Sequence, residues 1–381
     1  MPHSNRLRQL HDAGQSVWLD YIDRAMLRNG SLAALIRDDS LMGMTSNPTI
    51  FEKALAEGKE YDSQIESATG DLTPWQLFEL IETDDVRAAC DIFADVYRET
   101  KGADGFVSIE VSPGVANDAA ATIEEGRRLW ATVDRPNVMV KVPGTAEGAK
   151  AVRQLIADGV NVNITLLFAI DAHDRVIESY LSGLEDRQAA GLPIDRVASV
   201  ASFFVSRVDT ETDKRLNAVA ASASDGLRDG VLALRGRAAV ANARLAYRLF
   251  TQRFAGARWD KLAAAGARVQ RPLWASTSSK NPAYRDVLYV ESLIGPDTVN
   301  TMPPATMDAF RDHGETARTV DSDWTAAEQY FHELEQAGVS LRDVTDKLLA
   351  DGLASFQKSC DTLILGLERK AAALGKTLVR V

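Results

Sequence analysis

Eight short runs with strand character recur along this chain, each followed by a longer stretch with helical spacing. The runs are Val17–Tyr21, Gly43–Ser46, Phe106–Val111, Val138–Val142, Val160–Leu166, Val197–Val205, Pro272–Ser276 and Thr298–Asn300. Among the stretches between them, Asn117–Trp130, Ala146–Ala157 and Ile170–Leu184 are amphipathic at helical period. Strands that alternate with helices pair in parallel through helical crossovers. Eight such units close into a (β/α)8 TIM barrel, so the expected class is α/β. Additional helices are expected in two places. Residues 211–266 form an Ala/Arg-rich helical excursion after the sixth strand, and residues 322–376 read as a helical C-terminal tail packing outside the barrel. No linker-like composition interrupts the chain, so residues 1–381 are expected to make one domain.

Side chains alternate between the two faces of a strand. Val107, Ile109 and Val111 therefore share one face, and Ser108 and Glu110 the other. In the next run the three valines oppose Met139 and Lys141; in the one after, Val162, Ile164 and Leu166 oppose Asn161, Asn163 and Thr165. Asp20 lies opposite Val17 and Leu19. A barrel strand is apolar outward, under its helices, and turns polar inward only near its carboxyl end, where active sites sit. Asp20, Glu110, Lys141, Asn163 and Thr165 all fall late in their strands on the uncovered face. An open antiparallel sheet with one wet face would leave the intervening helices without a role.

A lysine inside an apolar strand needs a reason, because an unpaired buried ammonium is costly. It can guard an edge strand or form an ion pair with Glu110 or Asp20. It can also be a nucleophile, since burial disfavours the charged form of an amine and a neutral amine attacks a ketone. The second reading gains from its company: one amine, carboxylates to shuttle protons, and amide or hydroxyl groups to hold sugar hydroxyls.

Other chemistries lack parts. The histidines His3, His11, His173, His313 and His332 never pair at metal-ligand spacing, and no GxSxG elbow, GxGxxG or GxxxxGK[ST] is present. No metal and no organic cofactor is expected. Cys90 and Cys360 stand far apart and read as reduced thiols. Asp38-Asp39 and Asp84-Asp85 read as solvated helix ends, with metal binding a distant second reading. The formal charge of −11 comes without any basic run, which argues against a nucleic-acid partner. No stretch of about 18 apolar residues is found, and the first residues, with Arg6, Arg8 and Asp12, lack an apolar leader core. A cytoplasmic setting is the expectation. Monomer and homodimer are both left open. Two cations just after strand ends, Arg207 and Lys280, could each be half of a surface ion pair; together they suit the phosphate end of a barrel.

At these residues the chain resembles the transaldolases, over most of its length. The resemblance rests on Thr45-Ser-Asn-Pro-Thr-Ile-Phe, Val107-Ser-Ile-Glu-Val, Val138-Met-Val-Lys-Val-Pro, Asn161-Val-Asn-Ile-Thr-Leu-Leu-Phe and Ser202-Phe-Phe-Val-Ser-Arg-Val-Asp, in that order. It implies that Lys141 forms the Schiff base and that Asp20 takes the proton of the C4 hydroxyl during cleavage. Glu110 and Thr165 would activate the water that leaves and re-enters at the imine. Asn47 and Asn163 would hold substrate hydroxyls; Ser202, Arg207 and Lys280 would hold the terminal phosphate. The implied reaction carries a dihydroxyacetone unit from sedoheptulose 7-phosphate to glyceraldehyde 3-phosphate, giving erythrose 4-phosphate and fructose 6-phosphate in the non-oxidative pentose phosphate pathway. The family's better-known branch has arginine where this chain has Lys280, a point charge in place of a bidentate fork. The alternative is a class I sugar-phosphate aldolase that releases free dihydroxyacetone. Such relatives tend to carry glutamine and tyrosine where this chain has Glu110 and Phe204, which favours transfer.

Overall fold

A computed structural model describes residues 5–379, in which eight parallel strands close into a barrel in sequence order. The strands are β1 (Gln15–Asp20), β2 (Leu41–Thr45), β3 (Phe106–Glu110), β4 (Val138–Pro143), β5 (Val162–Leu167), β6 (Ser199–Phe204), β7 (Arg271–Ala275) and β8 (Thr298–Met302). Each expected run is a strand, with ends displaced by at most two residues. The alternation holds: Val107, Ile109, Val140, Val142, Val162 and Ile164 are wholly buried under the surrounding helices. Burying an aliphatic side chain of this size stabilises by roughly 1.5–3 kcal/mol, so a one-residue slip in any middle strand is strongly disfavoured.

The amino-terminal end of the barrel is plugged. Asp104, just before β3, accepts from Trp18 Nε1 at 2.7 Å, from Arg271 Nη1 at 3.2 Å and from Ser16 Oγ. With those contacts filling that end, the cavity described below lies at the carboxyl-terminal end.

Three regions elaborate the repeat rather than two. The connection 46–105 between β2 and β3 carries helices Pro48–Glu57, Asp62–Ser67, Pro74–Ile92 and Ala94–Glu99. Their starts are written locally: Asn47 caps the first through Ile50 N, and Thr73 and Gln76 make a reciprocal capping box at the third. The excursion after β6 comprises Ser206–Ser222, Asp225–Leu232, Ala238–Arg253 and Ala257–Ala264.

The C-terminal tail contains Trp324–Gln336 and the long helix Leu341–Ala373. This long helix does not simply lie outside the barrel, as its sequence suggested. It packs on Pro48–Glu57 and β5 and crosses the carboxyl-terminal mouth, where Gly352, Ser355 and Phe356 face the interior space. Its buried stripe begins Val344, Leu348, Gly352; such a stripe requires a partner surface without naming it. Gly352 lets the helix come close, since a Cβ there would meet Leu166 Cδ2 at 3.1 Å and the leucine would have to give way slightly.

Asp39 and Asp85 are not solvated helix ends. Asp39 is 7 % exposed and bound by Arg311 at 2.7 Å, and Asp85 is 3 % exposed and bound by Arg24 at 2.7 Å. Acid pairs in sequence do not disclose distant arginines. Among the described residues, no helix is long and apolar enough to cross a membrane.

Candidate active site

A cavity of about 480 Å³ occupies the carboxyl-terminal end of the barrel, within the range of small-molecule sites. Every strand contributes to its wall: Asp20 from β1, Thr45 from β2, Glu110 from β3, Lys141 from β4, Thr165 from β5, Ser202 and Phe204 from β6, Ala275 from β7 and Thr301 from β8. Register explains the convergence. Glu110 is the β3 partner of Lys141, Asp20 is the β1 partner of Thr45, and Pro143 of β4 is the partner of Thr165.

Lys141 is 7 % exposed. Its Nζ donates to Glu110 Oε2 at 3.0 Å and to the Ser46 carbonyl at 3.3 Å. The ion pair foreseen as an alternative to nucleophilic use is therefore real, and the two are compatible, since the carboxylate that holds an ammonium is also placed to take its proton. Burial pushes the Glu110 carboxyl above its ordinary range; Lys141 and its hydrogen bond pull it back, and Asp20 pushes it up again. Asp20 accepts from Thr45 Oγ1 at 2.8 Å, and Thr45 shares a further 2.8 Å hydroxyl contact with Thr301. Burial raises the Asp20 carboxyl too, against the lowering effects of Lys141, the Thr45 hydrogen bond, Arg207 and Lys280. Two carboxylates with raised proton affinity thus flank one amine, the arrangement that general acid–base work at neutral pH needs. Glu82, 4 % exposed on helix Pro74–Ile92, is pushed well above the carboxylate range, by burial first and then by Glu110, with Lys141 pulling the other way.

The other side of the cavity differs. Arg207 follows β6, and its guanidinium lies 4.8 Å over the Phe204 ring. It donates no hydrogen bond to a protein acceptor among the described residues, while burial lowers its proton affinity and Asp20 raises it. Lys280, on the loop after β7, is exposed, with Nζ 2.8 Å from Ser278 Oγ. Both line the cavity.

Most residues singled out in the sequence meet here: Lys141, Asp20, Glu110, Thr165, Asn47, Ser202, Arg207 and Lys280 all line the cavity. Asn47 spends its Oδ1 on capping Ile50 N at 3.1 Å, which leaves its amide nitrogen to face the interior. Asn163 is the exception. It lies one layer deeper, fully buried, with Nδ2 on Ser108 Oγ at 2.9 Å and Oδ1 accepting from Ser202 Oγ at 2.6 Å. An amide so engaged orients Ser202: of the polar residues in this run, only Thr165 lines the cavity, and Asn163 lies behind it. Sequence reading missed Thr45, Thr301, Ser276, Ser278, Ser355 and Phe356. Thr45 was recoverable, since it shares strand parity with Gly43 and sits at a carboxyl end; the loop and tail residues carry no such signal.

Among the described residues no group of His, Cys, Asp and Glu is arranged to hold a metal ion. His3 lies outside the described residues, and none of the other histidines lines the cavity. Cys90 and Cys360 are free, buried thiols.

The family described as transaldolase/fructose-6-phosphate aldolase matches residues 17–366. Among curated relatives, a transaldolase of Thermobifida fusca is 48 % identical over 369 residues, covering 96 % of this chain and 98 % of that protein. "Transaldolase 1" of Streptomyces coelicolor is 45 % identical (97 % and 96 % covered), and the transaldolase of Mycolicibacterium smegmatis is 46 % identical (96 % and 97 % covered).

Proposed function

This chain belongs to the transaldolase/fructose-6-phosphate aldolase family, and from that premise we infer that it is a transaldolase. It moves a dihydroxyacetone unit from sedoheptulose 7-phosphate to glyceraldehyde 3-phosphate through a lysine Schiff base. The observation that carries the mechanism is the placement of Lys141 Nζ, 3.0 Å from Glu110 in the same cavity as Asp20. A buried ion pair adds little net stability, so this one is better explained by use than by support.

In this reading Lys141 passes a proton to Glu110 and attacks the C2 ketone of the donor. The carbinolamine loses its hydroxyl as water, with the proton supplied by Glu110 and the water held by Thr165. Asp20 then takes the C4 hydroxyl proton, the C3–C4 bond breaks, and its electron pair moves into the protonated imine to give an enamine. The aldose departs, the acceptor aldehyde enters, and the same steps run in reverse. The protonated imine is the electron sink, so the chemistry calls for no cofactor. Arg207, Lys280 and Ser202 hold the phosphate, and Asn47 meets a sugar hydroxyl. One continuous core supports treating barrel, excursion and tail as a single catalytic domain, and the reading includes a cytoplasmic setting.

Transfer rather than release requires the enamine to outlast the interval between leaving aldose and arriving acceptor. Phe204 supports this, since its ring, 9 % exposed and 5.2 Å from Phe168, offers no hydroxyl to organise a water. Fructose 6-phosphate supplied alone should yield dihydroxyacetone slowly, and adding erythrose 4-phosphate should start rapid transfer. Rapid release without an acceptor would assign the chain to aldolase chemistry instead.

A further inference from the structure

Beyond Arg207, the excursion after β6 has no part in the chemistry above, yet its first helix begins at the phosphate end of the cavity. Arg207 lies in the first turn of Ser206–Ser222, and Asp209 and Asp213, one turn apart, face the same side of that helix. Both carboxylates are buried, 1 % and 8 % exposed, and neither forms a salt bridge with a lysine or arginine among the described residues. Each divides its oxygens the same way. One oxygen holds the excursion: Asp209 Oδ1 accepts from Ala239 N at 2.8 Å, and Asp213 Oδ1 from Gly236 N at 2.9 Å. The other accepts from a tyrosine hydroxyl of the segment after β7: Asp209 Oδ2 from Tyr289 at 2.9 Å, and Asp213 Oδ2 from Tyr284 at 2.6 Å.

The turn that ends at Tyr284 is the one that carries Lys280. It is tied internally by Lys280 Nζ to Ser278 Oγ at 2.8 Å, Ala283 N to Asn281 Oδ1 at 3.0 Å and Tyr284 N to the Asn281 carbonyl at 3.0 Å. These bonds tie Lys280 and Tyr284 into one turn. Gly236 closes the contact from the other side: its φ is +69°, and a Cβ there would come 2.8 Å from the Tyr284 ring.

We propose that the hydrogen bonds from Tyr284 to Asp213 and from Tyr289 to Asp209 set the span between Arg207 and Lys280, making the excursion a brace for phosphate recognition. The proposal rests on the reading of those two cations as the phosphate site. Burying two carboxylates without a cation carries a cost, and burial lifts Asp209 to about 6. Apolar packing would have joined the two segments more cheaply, but it would not have fixed their distance with directional bonds. The four residues touch no substrate; they are positioning residues.

The test compares KM for fructose 6-phosphate with KM for unphosphorylated fructose, using the whole chain. Tyr284→Phe and Tyr289→Phe are each expected to raise the first by roughly three- to tenfold, the loss of one hydrogen bond, and to leave the second unchanged. Asp213→Asn, which keeps an amide within reach of the Tyr284 hydroxyl, is expected to change the ratio less than Tyr284→Phe. Lys280→Ala separates the two premises. If it discriminates between the substrates while both tyrosine variants change them equally or not at all, the brace is wrong. If Lys280→Ala itself fails to discriminate, the phosphate reading is wrong and the brace falls with it.

Discussion

The two halves of the cavity are built on opposite plans. Around Lys141 the protein supplies every partner: Glu110 and the Ser46 carbonyl hold the amine, and Thr45 holds Asp20. Around Arg207 it supplies almost none, only the Phe204 face beneath the guanidinium and the single Ser278 contact to Lys280. The first half is complete before substrate arrives, as proton-transfer groups must be if their geometry is to be ready for reaction. The second half keeps hydrogen-bonding capacity unspent, as a site for a charged ligand does. In the proposed reading, chemistry is fixed on strands, and recognition is left to a helix start and a loop.

The sharpest way to break this comparison is to disable the chemical half alone. Asp20→Asn should slow turnover by about 10²- to 10⁴-fold, the usual scale for a lost general base, while imine formation with fructose 6-phosphate persists. If imine formation disappears as well, Asp20 acts earlier than cleavage. Next in size, Arg207→Ala should raise KM for fructose 6-phosphate by roughly 10- to 100-fold, as expected for a lost charge-assisted pair, with little change for fructose. Lys280→Ala should act in the same direction but less, because its ammonium is exposed and already shared with Ser278. A larger effect at Lys280 than at Arg207 would reverse the order of the two cations.

The smallest effect links the halves. Asp20 is raised by burial and held down in part by Arg207 and Lys280. In the proposed mechanism cleavage uses Asp20 as a base, so activity should fall as pH drops through its folded value. Removing Lys280 removes a charge that favours the carboxylate, so the acid limb of kcat/KM for fructose should move to higher pH. An unmoved or lowered limb would mean that the two regions are electrically independent.

The same division governs what the sequence made legible. Strand alternation is a period of two with a physical cause, and it located Asp20, Glu110, Lys141 and Thr165 because all four sit at the inward parity of strands whose other face is buried. Parity does not measure depth, which is why Asn163, at the same parity as Thr165, lies behind the cavity wall and anchors Ser202. The sequence marked residues 322–376 as a helical tail but not where that tail would dock, so the roof formed by Ser355 and Phe356 went unseen. The helices between β2 and β3 were not expected, although the Thr73–Gln76 capping box was a local signal that could have marked one of them. The pairing of Tyr284 with Asp213 joins residues far apart in sequence, and no local pattern encodes it.

Everything in this account turns on Lys141 being the nucleophile. Borohydride reduction in the presence of fructose 6-phosphate, followed by mass mapping of the trapped chain, tests that directly. The account expects one reduced sugar-phosphate adduct, on Lys141. An adduct on any other lysine, or none under conditions where the enzyme turns over, would contradict it.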